Sequence, residues 1–156
     1  MRATVFAAMC LLAACGGGGG ASSAGPGPAP QASAGTAAQT FLRAAADSNL
    51  TRMAELWGTA NGSAARTNSP ADYTRRIVVM QTYLRADSSR ILSEVPMPGD
   101  DTRRVVTVSL WRSGCMKQLP FTMVRARDGG WLVNEFNLTL LGNPARPCEP
   151  TEPPRG

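Results

Sequence analysis

The residues of this chain best suited to covalent chemistry are four cysteines, and no histidine accompanies them. They are Cys10, Cys15, Cys115 and Cys148. Histidine is the commonest metal ligand and the most frequent general base, and a structural zinc site takes four ligands, usually cysteine and histidine. Because the chain offers so few such ligands, the sequence predicts neither a metal site nor a cofactor.

The N-terminus has the organisation of an export signal. Arg2 supplies a positive charge, and residues 3–14 form an apolar stretch of 12 residues. A membrane-spanning helix needs about 20 apolar residues, so this stretch fits the apolar region of a signal peptide instead. It ends at Leu12-Ala13-Ala14-Cys15, which resembles the lipobox of bacterial lipoproteins.

The lipobox resemblance implies that residues 1–14 are removed as a signal peptide and that the thiol of Cys15 carries the lipid. The alternative is an ordinary secretory signal in which Cys15 stands by chance. Cys10 is a poorer lipid acceptor, because the bulky Met9 precedes it and the apolar region before it is too short.

Residues 15–35 are predicted to tether the lipidated cysteine to the folded domain. After Cys15 they contain only small residues, proline and one glutamine, a composition that cannot bury apolar surface. Such a linker spans about 25 Å. The family's layout implies anchoring at the cell envelope, facing the periplasm or the outside, and Gly16 after the cysteine favours an outer membrane where one exists. The membrane is thus the first expected partner.

The two cysteines that remain after lipidation are predicted to form a disulfide. Cys115 and Cys148 are an even pair in an exported chain, and export leads to an oxidising compartment. Closing a loop of roughly 34 residues stabilises the fold by about 4 kcal/mol in the loop-entropy model. The alternatives are a metal site, which would want more ligands in a chain without histidine, and a redox-active pair, which more often has the spacing Cys-x-x-Cys.

Apolar residues recur at helical spacing in three segments. Residues 37–47 predict a first helix, and Asn49 can cap a short second helix that Gly58 ends. Residues 59–68 are predicted to be a polar loop. A third helix is expected to start at residues 69–72, where serine, proline and an acid stand in the favoured order. Its apolar face is predicted to contain Tyr73, Ile77, Met80 and Leu84.

From residue 90 the apolar pattern alternates, which indicates strands. Four strands are predicted, at residues 90–97, 102–112, 116–127 and 131–140. Helices followed by an antiparallel meander indicate an α+β fold, in which N-terminal helices pack on a curved antiparallel sheet of about four strands. The domain is predicted to occupy residues 36–148, followed by a Pro-rich tail at 149–156.

This element order resembles the nuclear-transport-factor-2-like, or cystatin-like, α+β superfamily and small bacterial lipoproteins within it. The residues that carry the resemblance are Phe41-Leu42 in the first helix and Asp128-Gly129-Gly130-Trp131 at the last hairpin. The resemblance covers residues 36–141 and implies a pocket between helices and sheet. Ketosteroid-isomerase-like and dehydratase-like members use a buried carboxylate with tyrosine, or an aspartate–histidine pair that this chain lacks.

Asp72 and Glu135 are the acids that could serve such a pocket. Asp72 is also well explained as an acid in the first turn of a helix. If Trp131 and Val133 face the helices, strand alternation points Glu135 and Asn137 the same way.

The predicted pocket brings one acid together with aromatic and amide side chains. Arg112 or Arg125, on neighbouring strands, is the expected partner of Glu135. The alternative is a solvated ion pair at the rim of the sheet, with the aromatic residues belonging to the core. The candidate pocket residues are Trp57, Tyr73, Glu135 and Asn137.

The opposite face of the last predicted strand is also apolar, since it carries Leu132, Phe136, Leu138 and Leu140. Trp111 and Val124 are expected on one outer face of the sheet. Apolar residues on both faces indicate burial on both sides, either around a pocket or against a partner, for which a second copy of the chain or an envelope protein are the candidates.

Three functions remain open. The favoured one is a membrane-anchored envelope lipoprotein whose domain binds a protein partner or a small apolar ligand without catalysing a reaction. The alternatives are an enzyme of the ketosteroid-isomerase-like or dehydratase-like kind that uses Glu135, and a dimerising scaffold. The formal charge of +5 is scattered, whereas nucleic-acid binding needs a clustered basic face. No nucleic-acid partner is therefore predicted.

Overall fold

A computed structural model describes residues 31–149 of the chain. The predicted signal peptide at residues 1–14, the predicted lipidation site Cys15 and most of the predicted linker lie outside the described residues, as do residues 150–156 of the predicted tail. The helices are α1 (Ala34–Ala46), α2 (Leu50–Leu56), α3 (Ala64–Thr67), α4 (Tyr73–Leu84) and a 3-10 turn (Leu138–Leu141). The strands are β1 (Gly58–Thr59), β2 (Gly62–Ser63), β3 (Ser88–Met97), β4 (Asp100–Arg112), β5 (Cys115–Arg125) and β6 (Trp131–Glu135).

The fold is α+β, as the sequence predicts. The α-helices precede a four-stranded antiparallel sheet in the order β3-β4-β5-β6, and β1 and β2 form a separate two-stranded hairpin. None of the helices in residues 31–149 is long and apolar enough to cross a membrane.

Helix α1 begins at Ala34, before the expected residue 37, because Ser33 caps it. The Ser33 hydroxyl accepts a hydrogen bond from the backbone N–H of Thr36 at 3.1 Å, which satisfies one of the free donors of the first turn. The backbone of Gln31 also accepts from the N–H of Trp131 at 3.2 Å. Helix α1 therefore begins inside the predicted linker of residues 15–35, and Gln31 already bonds to β6.

Asn49 caps α2 as predicted, accepting from the N–H of Arg52 at 2.9 Å. The expected loop at 59–68 is instead the β1–β2 hairpin and the short helix α3. Gly58 permits this hairpin, because a Cβ there would lie 2.8 Å from the Cα of Ser63. The polar composition of residues 59–68 does not reveal that two backbone segments approach each other this closely.

Helix α4 begins at Tyr73, later than the predicted start at residues 69–72. A turn precedes it, in which the carbonyl of Pro70 accepts from the N–H of Tyr73 at 2.9 Å. The predicted apolar face is otherwise confirmed: Ile77, Met80 and Leu84 are buried, and Tyr73 is half-buried against the core.

The helices cover one face of the sheet. Strand register aligns Val106 with Phe121 and Val108 with Leu119 across β4 and β5, and these four side chains are fully buried. The other face carries Trp111, aligned with Met116, and Val124, aligned with Arg103. Trp111 and Val124 therefore share an outer face, as expected, but lie toward opposite ends of it.

The last strand ends at Glu135 rather than at the predicted residue 140. Asn137 then caps the 3-10 turn, because its side-chain oxygen accepts from the N–H of Thr139 at 3.0 Å. Asparagine favours such local capping over a strand ladder. Leu138 and Leu140 consequently do not extend the strand's outer face.

The C-terminal segment packs beside the start of β5. Cys115 and Cys148 lie at disulfide distance, with their Cα atoms 5.4 Å apart, within the range that a disulfide requires. Half-buried Arg112 donates to the carbonyls of Pro144 at 3.1 Å and Thr82 at 3.0 Å. The bond to Pro144 thus ties the segment to β4, beside the cysteine pair.

Candidate functional site

An open cleft of about 430 Å³ lies between helix α4 and the end of β6. We call it the α4 cleft. Its volume falls in the range of small-molecule sites. The lining residues are Trp57, Asp72, Arg75, Arg76, Val79, Met80, Asn134, Glu135, Phe136 and Leu138.

The helix wall of the cleft carries charged residues one turn apart. Asp72 and Arg76 form an ion pair, with 2.9 Å between Oδ1 and Nε. The hydrogen bond from Arg76 holds the pKa of the Asp72 carboxyl below its usual value of 3.8, and the positive charges of Arg76 and Arg75 add to this lowering. Asp72 therefore stays ionised near neutral pH. Val79 continues the same wall by one further turn.

A β-bulge at Asn134 shapes the strand wall. Met123 pairs with Val133 but Thr122 pairs with Glu135, so Asn134 is an extra residue opposite no partner. Its side-chain Nδ2 donates to the carbonyl of Gly58 at 2.8 Å.

The bulge is also tied to two more distant residues. The indole Nε1 of Trp57 donates to the Asn134 carbonyl at 3.1 Å. Arg103 reaches the Asn134 Oδ1 atom at 3.5 Å. These contacts fix the bulge and the Trp57 ring together, so both present a defined surface to the cleft.

The floor of the cleft is apolar and rests on aromatic packing. Phe136 packs against Phe121, with ring centroids 4.8 Å apart, and against Phe41 at 6.2 Å. Phe41 and Phe121 are fully buried. Phe136 therefore joins the cleft directly to the core, which limits how far the floor can move.

The bulge corrects the predicted orientation of Glu135. It turns Glu135 to the outer face shared with Thr122, away from Val133, so alternation does not carry Glu135 to the helix-covered face. Glu135 is exposed at the cleft's strand side. The expected partners are also wrong, because Arg112 bonds carbonyls near the C-terminus and Arg125 bonds the carbonyl of Gly129 at 3.4 Å.

The remaining predicted pocket residues separate. Trp57 lines the α4 cleft with Glu135. Tyr73 lines a different groove of about 240 Å³ on the other side of α4, beside Leu50 and Val78. Asn137 is exposed and serves as the cap of the 3-10 turn. The structure therefore brings together two of the four residues.

Comparison of the chain with protein-family models, with curated proteins and with solved structures finds no match. The function must therefore be inferred from the site itself.

Sequence reasoning missed most of the cleft. Residues Arg75, Arg76 and Val79 stand three, four and seven positions after Asp72, a spacing that places them on one helix face. That spacing was a usable signal. No comparable signal marks the strand wall, where Asn134 meets Gly58 across 76 residues of sequence.

The α4 cleft has two chemically distinct parts. It combines an apolar floor with charged side chains at an open rim. Among residues 31–149, no three histidine, cysteine or acidic side chains gather as a metal site would require. The site suits a ligand that has an apolar body and polar ends.

Proposed function

We propose that this protein is a lipid-anchored envelope lipoprotein whose domain binds a small ligand with an apolar body in the α4 cleft, without catalysing a reaction. The observation that carries the proposal is the cleft itself, in which a fixed aromatic floor opens to solvent between two polar walls. A ligand that covers apolar surface at such a site gains about 25 cal/mol of binding free energy for each Å² that it buries.

The acids of the cleft are poor candidates for proton transfer. A general base works best when its pKa lies near the working pH. The hydrogen bond from Arg76 moves the pKa of Asp72 further below that range. Glu135 is exposed to solvent, whereas the enzyme hypothesis requires a shielded carboxylate. These features favour binding over the ketosteroid-isomerase-like or dehydratase-like alternative.

Two exposed valines provide a direct test of the site. Val79 lines the α4 cleft and is 44% exposed, whereas the adjacent Val78 lines the opposite groove and is 49% exposed. We expect Val79→Asp to weaken binding of 1-decanol at least about ten-fold, because the new carboxylate must be desolvated beside the ligand. Val78→Asp is the matched control, and we expect it to bind decanol within two-fold or so of the unaltered chain.

Binding can be followed by NMR through the indole N–H signal of Trp57. This signal is identified as the one that disappears in Trp57→Phe. If decanol shifts the Trp57 signal equally in Val79→Asp and Val78→Asp, the ligand binds elsewhere, and the cleft is not the site. Failure of decanol to bind at all would overturn the proposed function.

The membrane anchor is the second part of the proposal and rests on the lipobox-like residues 12–15. Two or three acyl chains hold a protein firmly to a bilayer, at about 0.8 kcal/mol for each buried methylene. We expect Cys15→Ser to move the protein from the membrane to the soluble fraction and to remove the acyl mass. Cys10→Ser is the matched control and should change neither. Membrane fractionation that survives Cys15→Ser would refute the anchor.

Partner binding at the outer sheet face is a second candidate, favoured by exposed apolar side chains. Val95 is 49% exposed and Met116 48% exposed, and register places both on the face that carries Trp111. We expect crosslinking from membranes to capture a second copy or an envelope protein through this face, and Met116→Asp to abolish the crosslink. A crosslink unchanged by this substitution would exclude the face.

A further inference from the structure

We infer that Asn61 is a site of spontaneous deamidation, and that its isoaspartate product loosens the strand wall of the α4 cleft. The reaction needs only the chain and water, so this inference does not depend on the proposed function. It concerns the tight turn between β1 and β2, in which Ala60 and Asn61 connect Thr59 to Gly62.

In this reaction the backbone nitrogen of Gly62 attacks the side-chain carbonyl carbon of Asn61. A bond forms between that nitrogen and Cγ, the bond from Cγ to the amide nitrogen breaks, and ammonia leaves with the proton of the Gly62 nitrogen. Water then opens the succinimide ring at either of its two carbonyl carbons. One opening gives aspartate. The other gives isoaspartate, in which the main chain passes through the side chain and is longer by one methylene.

The residue after Asn61 makes it the most reactive asparagine of the chain. Of the six asparagines, Asn61 alone precedes glycine, whereas the others precede leucine, serine, glutamate or proline. Glycine has no Cβ to crowd the attacking nitrogen. The fold itself requires this glycine, because Gly62 has a φ of +135° and the Arg66 side chain lies where a Cβ would stand.

The amide of Asn61 is also free to react. Its side chain is exposed, and among residues 31–149 it makes no hydrogen bond. Asn68 is likewise exposed and unbonded within that range, but Ser69 follows it, so it provides an internal comparison. In the other four asparagines the side-chain oxygen already accepts a hydrogen bond; these are Asn49, Asn134, Asn137 and Asn143.

The backbone around Asn61 can open far enough for the attack. Strands β1 and β2 contain two residues each, and a two-stranded hairpin is only marginally stable by itself. Ala60 and Asn61 are exposed at its tip. Because exposed tips open at little cost in free energy, the ladder pairing of Gly62 with Thr59 slows the attack but does not prevent it.

The β1–β2 hairpin supports the strand wall of the α4 cleft. The Gly58 carbonyl accepts the hydrogen bond from Asn134 at 2.8 Å, and Trp57 forms a bridge with Val133. An isoaspartate lengthens a turn that has only two residues, and this shifts Gly58 against its partner in β2. The hydrogen bond from Asn134 and the position of the Trp57 ring then change together.

Mass spectrometry tests the site of the reaction. The full chain is incubated in mildly alkaline buffer, which deprotonates more of the attacking nitrogen, and is digested with trypsin beside a freshly purified sample. We expect the peptide of residues 53–66, which contains Asn61, to gain one mass unit and one negative charge. The peptide of residues 67–75, which contains Asn68, should stay unchanged.

Asn61→Gln is the matched variant for this test. It keeps an exposed amide, but the attack on a glutamine side chain must close a larger ring, so the gain in mass should be lost. Absence of any gain in the unaltered chain would overturn the inference. A gain at Asn68 as fast as at Asn61, or a gain that survives Asn61→Gln, would overturn it as well.

Asn61→Asp separates the added methylene from the added charge. Aspartate is ionised at neutral pH, as isoaspartate is, but it keeps the normal backbone. We expect the incubated chain to show a second Trp57 indole signal whose intensity follows the isoaspartate content, which an isoaspartyl methyltransferase measures. Asn61→Asp should keep the signal of the fresh chain. A Trp57 signal that moves equally in both samples, or in neither, would refute the effect on the cleft.

Discussion

Asn134 is one extra residue in strand β6, and its deletion should leave the neighbouring side chains on the faces that they occupy now. Val133 faces the helices, Glu135 faces outward and Phe136 faces the core again. Without Asn134 the same three residues would alternate regularly, because strand side chains have a period of two. Deletion of Asn134 should therefore keep Phe136 in its aromatic cluster.

The expected cost of this deletion comes from lost hydrogen bonds. Asn134 takes part in contacts with Gly58 at 2.8 Å, Trp57 at 3.1 Å and Arg103 at 3.5 Å. Each such bond contributes about 1 kcal/mol net, so the deletion should lower the free energy of unfolding by about 2–3 kcal/mol. Asn134→Ala keeps the carbonyl that Trp57 uses and should cost about 1–2 kcal/mol.

Deletion of Leu132 is the matched control, because it shortens the same strand by one residue at a regular position. There the removal inverts the faces on one side of the gap, so the buried Trp131 or Val133 must turn outward. Loss of one large core side chain alone costs about 3–5 kcal/mol, which approaches the whole stability of a small domain.

Urea unfolding, followed by circular dichroism, gives the order of the three variants. We expect Asn134→Ala to be the mildest change, deletion of Asn134 intermediate and deletion of Leu132 the most severe. If deleting Asn134 proves as damaging as deleting Leu132, the bulge does not set the faces of β6, and the orientation of Glu135 needs another explanation.

Two further predictions concern the cysteine pair and the ion pair on α4. Thiol titration of the purified, unfolded chain should find neither Cys115 nor Cys148 free, and Cys115→Ser with Cys148→Ser should lower the free energy of unfolding by up to about 4 kcal/mol; reactive thiols located at Cys115 and Cys148 would refute the disulfide. An NMR titration should give Asp72 a pKa below 3.8, and Arg76→Gln should raise it. Because the folded pKa is depressed, this pair stabilises the fold above about pH 4 and its contribution is lost as the pH falls through the folded pKa; an Asp72 pKa that Arg76→Gln leaves unchanged would contradict this assignment.

Much of the fold could be predicted because its elements follow local rules. The buried residues of α4 recur at the spacing of one helix face, and β4 and β5 alternate regularly along their length. Caps were visible only in part: Asn49 stands before an apolar run, but Ser33 stands in a segment whose composition resembles a linker.

The orientation of Glu135 could not be predicted, because it depends on one residue inserted into a ladder. Nothing in the neighbouring sequence distinguishes a bulged from a regular strand except the low strand propensity of Asn134. The contact that stabilises the bulge comes from Gly58, which belongs to a hairpin that was itself missed. Because the hairpin was not predicted, the orientation of Glu135, far along the chain, could not be predicted either.

The surface of α4 carries two valines that contribute little to the stability of the free domain. Val78 and Val79 are adjacent, and each remains nearly half exposed. Valine in a helix costs up to about 0.7 kcal/mol relative to alanine, and burial of about half of the side chain recovers a similar amount. The free domain therefore gains almost nothing from either residue. Val79 lines the α4 cleft and Val78 lines the opposite groove. A ligand in the cleft would therefore bury Val79 alone, and the Val78→Asp control measures the change from valine to aspartate without that burial.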